Sequence, residues 1–353
     1  MLDKSSASQV YKTNQHKKFG FLWISIIVVL LLIVFGLTVG AKNITIAEVL
    51  SSIISSEQST QKLIIIDLRL PRLIAAVVSG ATLGIAGAIM QIVLRNPLGS
   101  PFTLGISNAS AFGAAMAYIF MSSIAIKGLG AFGQHIIVSV SAFVWAAIGS
   151  LFILFVARKK GASPENMILA GIIINTLFMA LTSVLQFLAD DVQLGSIVFW
   201  TFGDLSKSSW PILGIQLLII VPALIYLIKN SAKYNALDAG DQVANNLGIN
   251  VHKFRMISIL LTALLTASIV AFYGIIAFIG LVIPHAVRMT MGNESRFLII
   301  ASMVFGSLFL LCSDLLARSL FSPIVIPVGI ITSIVGAPLF IILVLKGSNR
   351  WSK

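Results

Sequence analysis

Charge is scarce in this chain. Asp, Glu, Lys and Arg make up 10% of its 353 residues, whereas 58% are hydrophobic. A water-soluble domain of this size covers itself with far more charge, so a soluble globular fold is excluded and the bilayer is the expected solvent. Cysteine is scarcer still: Cys312 stands alone in an apolar stretch, which excludes a disulfide framework and a thiolate metal site. The four histidines, His16, His135, His252 and His285, are scattered, with neither metal spacing nor a Ser or Cys partner pattern. The dipeptide Gly-Lys never occurs, so no phosphate-cradling loop is present, and neither catalysis nor a cofactor bound by this chain is expected. Acidic side chains avoid the apolar runs, with Asp314 the one exception, near the end of a run. That weighs against the main rival from another class, an ion-coupled secondary transporter, which normally places a carboxylate at mid-membrane.

Long apolar stretches fill the chain instead. A crossing helix needs roughly 20 apolar residues, and 19–40, 73–94, 102–126, 135–157, 166–189, 208–228, 297–317 and 328–345 qualify. Residues 254–291 carry no charge between Arg255 and Arg288. As one helix they would run to about 57 Å at 1.5 Å per residue, too long for a bilayer. We read them as a hairpin turning near Phe272, Tyr273 and Gly274, with a short second arm ending around Pro284 and His285. The expected fold is all-α, a polytopic membrane protein with about ten transmembrane helices. One membrane domain covers 19–346, between a polar N-terminal tail over 1–18, expected to be disordered, and a C-terminal tail over 347–353. Residues 44–54 suggest a short surface helix.

Ten spans put both termini on one side. That side receives 17 of the 24 Lys and Arg residues but only 5 of the 12 Asp and Glu, so the termini are expected in the cytoplasm. The net charge of +12 follows from this bias. Nucleic acid is not an expected partner, because no soluble domain offers it a basic face; membrane lipid is.

Several motifs punctuate the spans. Arg69 and Arg72 flank Pro71, a residue suited to the first turn of a helix, which predicts two guanidinium groups facing outward at the membrane surface. They would anchor lipid headgroups or dock an acidic partner. Gly80, Gly84 and Gly87 recur at helical spacing and predict close packing of another helix. The prolines and glycines of 95–107 predict a rigid, helix-free connection. In the cytoplasmic loop 229–253, Asp238 predicts a helix N-cap, Asp241 favours the positive helix end, and Leu247-Gly248 predicts the stop. Val243, Ala244 and Leu247 would share one apolar face, suited to a soluble partner or to the membrane surface. Asp314 and Arg318 lie four apart and predict a mutual pair, with Arg318 joining Arg69 and Arg72 in a basic outer rim.

These residues resemble one family: the permease subunits of binding-protein-dependent importers for iron–siderophore complexes, haem and cobalamin, the FecCD/BtuC-like type II importers. The resemblance rests on Arg69-Leu-Pro-Arg72, Arg95-Asn-Pro-Leu98, Leu104-Gly-Ile-Ser107, Leu247-Gly248, Gly280-Leu-Val-Ile-Pro-His285, Asp314-Leu-Leu-Ala-Arg318, Pro327-Val-Gly329 and Gly336-Ala-Pro338, in family order from about 44 to 346. It implies a BtuC-like permease fold in the bacterial cell membrane, working with a second permease subunit, identical or paralogous. Two ABC ATPase subunits would lie beneath, holding ATP and Mg, and a periplasmic or extracellular substrate-binding protein would dock outside. By resemblance, Arg69, Arg72 and Arg318 would meet glutamates of the binding protein. Residues 238–248, with Asp238, Asp241, Val243, Ala244, Leu247 and Gly248, would form the coupling helix that enters the ATPase. The fifth span would line the pathway, with Asn175, Thr176 and Ser183 as its polar lining. Asn245-Asn246 departs from the charged residue many relatives carry there, leaving the ATPase partner open. The expected cargo is a ferric siderophore, with haem or cobalamin as the alternative.

Overall fold

Hydrocarbon offers the backbone no water, so a crossing segment must close its hydrogen bonds internally. Among the described residues the chain does this with helices alone. The computed structural model describes residues 4–40, 44–54, 59–120, 129–160 and 163–351. The ends of both expected tails, 1–3 and 352–353, and the last part of the expected third span, 121–126, lie outside them.

The chain begins with α1 (Lys4–Thr38), α2 (Ile46–Ile54) and α3 (Thr60–Leu63), then a π-helical stretch (Ile64–Arg69) that runs into α4 (Leu70–Val93). There follow α5 (Ile106–Phe120), α6 (Ala131–Lys160), α7 (Pro164–Leu188), α8 (Asp191–Thr201) and α9 (Trp210–Lys229). The last part holds α10 (Ser231–Ala239), α11 (Asp241–Asn246), α12 (Val251–Tyr273), α13 (Ile279–Met291), α14 (Ser295–Ser319) and α15 (Val328–Trp351). Among the described residues, 8 helices are long and apolar enough to cross a membrane, and α5 and α13 are shorter apolar helices. Together they fall, in order, on the ten apolar segments expected to cross. The hairpin turns at Gly274, as expected. Its second arm, however, continues through Pro284 to Met291. Pro284 has no N–H to offer the carbonyl of Gly280 one turn back, and that carbonyl faces Gly87 of α4 instead. The segment read as a disordered tail carries helical backbone back to Lys4. The surface helix is α2, closed by a capping box in which the Thr45 N–H donates to Glu48 Oε2 at 2.7 Å and the Glu48 N–H to Thr45 Oγ1 at 3.3 Å.

Helix α4 is the axis of the bundle, buried along almost all of its length against α12, α13 and α14. Helices α1, α7, α9 and α15 form the periphery and leave most of their surface uncovered. The glycine spacing on α4 does what it predicts. A Cβ on Gly84 would sit 2.1 Å from the Ser302 carbonyl oxygen, and one on Gly80 would sit 2.3 Å from that of Gly306. Backbones that meet this closely leave no room for a side chain, and in lipid such packing drives helix association. Gly84→Leu is therefore expected to abolish a cooperative thermal transition in detergent. Gly214→Ala, where a Cβ meets nothing within 4 Å, should leave the transition in place.

Candidate functional site

Two charged clusters sit at the two ends of α4. At its start, Pro71 occupies the first turn as expected. Asp314, 0% exposed, accepts from Arg72 Nε at 2.7 Å and faces Arg318 Nε at 3.1 Å. Arg69 Nη1 donates to the Leu37 carbonyl at 2.5 Å, and Arg318 Nη1 to those of Gly36 and Val39 at 3.4 Å. The last carbonyls of α1 lack helical partners and lie at the negative end of its dipole, where cations are favoured. The three arginines come together as the motifs suggest, but the exposed rim is corrected: Arg69, Arg72 and Arg318 are 7%, 8% and 6% exposed. The reason is physical. An arginine turned outward would strand Asp314 in a low-dielectric setting, and an unpaired buried charge is far costlier than a paired one. Asp314 is thus shared by two guanidiniums, and Nη2 of both Arg72 and Arg318 is buried without a hydrogen-bond partner among the described residues.

At the far end of α4, the coupling segment differs from the single capped helix expected over 238–248. Asp238 is not an N-cap. It lies near the end of α10, and the chain breaks at Gly240, whose φ of +137° suits glycine. Gly240 caps α11 without a side chain, leaving Asp238 to face Arg288 Nη1 at 3.8 Å. Asp241 does open a helix, and it accepts from Arg95 Nη2 at 2.5 Å and from Arg255 Nη2 at 2.8 Å. The predicted stop is present. The Gly248 N–H donates to the Asn245 carbonyl and the Ile249 N–H to that of Ala244, at 2.9 and 3.0 Å, a Schellman closure. The apolar face divides: Ala244 is buried inward, while Val243 and Leu247 are 44% and 67% exposed. Behind α10, Tyr234 shares a 2.8 Å hydrogen bond with Ser258, and burial pushes its phenol above its ordinary range.

Arg95, Arg255 and Arg288 were not singled out as site residues, because the count of basic residues already explained arginines at the ends of spans. The available signal was two carboxylates, Asp238 and Asp241, in a loop expected on the same side of the membrane as three span-end arginines. In α7, Thr176 and Ser183 lie on an uncovered face and donate back to the Ile172 and Met179 carbonyls, both at 3.0 Å. Asn175 turns away from them and accepts from Asn108 Nδ2 of α5 at 2.8 Å. Among the described residues no group of three or more His, Cys, Asp or Glu is placed to hold a metal ion.

A multi-pass helical bundle with a charged cluster at each end invites comparison with transport proteins. Residues 27–346 match the FecCD transport family. A protein of Methanocaldococcus jannaschii assigned as an ABC transporter permease is 43% identical over 97% of this chain and 99% of its own length. The hemin transport system permease HmuU of Yersinia pestis is 36% identical over 81% of this chain and 84% of its own, and further relatives are named for vitamin B12 and iron(3+)-hydroxamate import. A solved ABC transporter assigned to the metal-chelate type, in an inward-facing conformation, superposes with a TM-score of 0.80 at 30% identity, covering 93% of this chain and 99% of that one. The chain belongs to the FecCD transport family and is a multi-pass permease of the ABC importer class.

Proposed function

We propose that this chain pairs with a second permease subunit, identical or paralogous, and that the pair moves a ferric siderophore inward, driven by ATP hydrolysed in two partner ATPase subunits. The loop charge bias supports cytoplasmic termini. Arg69, Arg72 and Arg318 then belong to the outer face, and α10 and α11 to the inner one. The observation that carries the reading is the contrast between the two ends of α4. One end gathers Arg69, Arg72 and Arg318 about the single carboxylate of Asp314; the other pairs its arginines with Asp238 and Asp241 and offers Val243 and Leu247 on a short helix that leaves them uncovered. Guanidinium takes carboxylate in a planar two-point fork, so the outer cluster, buried in the permease alone, would meet glutamates of a loaded binding protein as docking uncovers it. The exposed pair on α11 suits an apolar groove in the ATPase, which keeps ATP and Mg. The uncovered face of α7 supports a pathway between the two subunits, with Thr176 and Ser183 on it and Asn175 beside it.

ATP binding and hydrolysis would favour one of two arrangements of the pair, tilting it between outward and inward access. A ferric chelate is favoured as cargo because iron(3+)-hydroxamate and Fe(3+)-citrate stand among the relatives' named substrates; haem or cobalamin, also named among them, is the alternative. Because Arg318 is buried beside Asp314, alanine there would disturb folding as well as docking. Arg318→Lys keeps the charge and removes the fork. In nanodiscs it is expected to weaken binding-protein affinity by about tenfold, since a hydrogen bond to a charged group is worth about 1.5–3 kcal/mol. Unchanged affinity would retire the docking assignment.

A further inference from the structure

We infer that Arg95 and Arg255 are positioning residues that lock α11 to the permease core, so that movement of α11 is passed directly to α4 and α12. The inference rests on the reading of α10 and α11 as the ATPase contact and adds how that contact is transmitted. Helix α11 is 6 residues long with Ala244 as its only buried residue. A helix that short is unstable alone, so its position is set by what grips it. Asp241 provides the grip. Its carboxylate takes Arg95 Nη2 and Arg255 Nη2 on Oδ1, and Arg255 Nη1 on Oδ2 at 3.4 Å. Each arginine is also tied to a membrane helix. Arg255 lies in α12, is 3% exposed, and donates Nε to the Val93 carbonyl, the last residue of α4, at 3.1 Å. Arg95 follows α4 directly and donates Nη2 and Nε to the Leu237 carbonyl of α10 at 3.0 and 3.2 Å.

The turn that places Arg95 is the end of α4 itself: the Arg95 N–H donates to the Ile92 carbonyl and the Asn96 N–H to that of Gln91, at 3.2 and 3.1 Å, a Schellman closure with Arg95 at φ +45°. Arg288 of α13 faces Asp238 on the neighbouring helix, so α10 and α11 are held to the inner ends of α4, α12 and α13 by three arginines. A partner pushing on Val243 and Leu247 thus pushes on the axis of the bundle. With the clamp removed, α11 could still be gripped by the ATPase, but it would move without carrying α4 and α12.

The test uses the assembled transporter, with cognate ATPase and binding protein, in nanodiscs. The readout is the stimulation of ATP hydrolysis by added binding protein, a signal that must cross the permease and needs no identified cargo. Arg255→Gln and Arg95→Gln are each expected to co-purify with the ATPase while that stimulation falls about tenfold, within the usual span of coupling between sites. Arg255→Lys, which keeps a charged donor facing Asp241, should restore part of it. A purely structural role would lower the Tm and leave the stimulation of the surviving complex unchanged, and that result overturns the clamp. Where Arg255→Gln fails to assemble, Asp241→Asn carries the same test, because that side chain is 40% exposed. Leu247→Asp separates the two ideas: if it still binds the ATPase, the contact itself has been misread, whatever the clamp variants do.

Discussion

Asp314→Asn is expected to cost about 3–5 kcal/mol of stability, the usual result of removing one partner from a buried ion pair. The carboxylate is fully buried and faces Arg72 and Arg318 at 2.7 and 3.1 Å. Its loss leaves the guanidiniums of Arg72 and Arg318 buried without their carboxylate. Replacing the whole triad, as Asp314→Leu with Arg72→Met and Arg318→Met, should recover most of the loss, since packed apolar side chains often equal or exceed a buried ion pair in stability. Unfolding in detergent, followed by heat or denaturant, measures both. The repacked triad is also informative about function, because it should fold and yet fail to bind the carrier.

The second large effect is expected on α11. Val243→Asp combined with Leu247→Asp should abolish co-purification of the ATPase, at least about a hundredfold in affinity, because an unpaired carboxylate buried in an apolar groove costs several kcal/mol. Both side chains are exposed, so the permease itself should melt where the parent does. Ala244→Asp should do the reverse and damage the permease, since Ala244 is 0% exposed and faces inward. Pull-down against the cognate ATPase, paired with a thermal melt, separates the two cases.

What could be read in advance follows from the range of the interaction involved. Span number and the hairpin at Gly274 were legible because apolar run length and charge placement are local properties tied to the bilayer. The glycine stripe on α4 was legible for the same reason, since spacing alone says which face is small. The stop at Leu247-Gly248 was legible because a Schellman closure is written in adjacent residues. The direction of Arg69 and Arg72 was not, because their partners lie on α1 and α14, and Asp314 is 242 positions from Arg72. Local pattern shows that an arginine stands at a helix start, not that the end of another helix bends it inward. The break at Gly240 was misplaced because Asp238 is a good capping residue in isolation. In the fold it faces Arg288, and glycine supplies the turn.

The measurement that bears most directly on an ATP-driven permease is transport itself. Proteoliposomes would hold the permease and its ATPase, with ATP enclosed and binding protein loaded with radiolabelled ferric siderophore outside. Uptake is expected only when ATP is enclosed, and it should persist when a protonophore dissipates the proton gradient. Label that enters without ATP, and stops entering once the protonophore is added, would mean that an ion gradient drives this chain, contrary to the account given above.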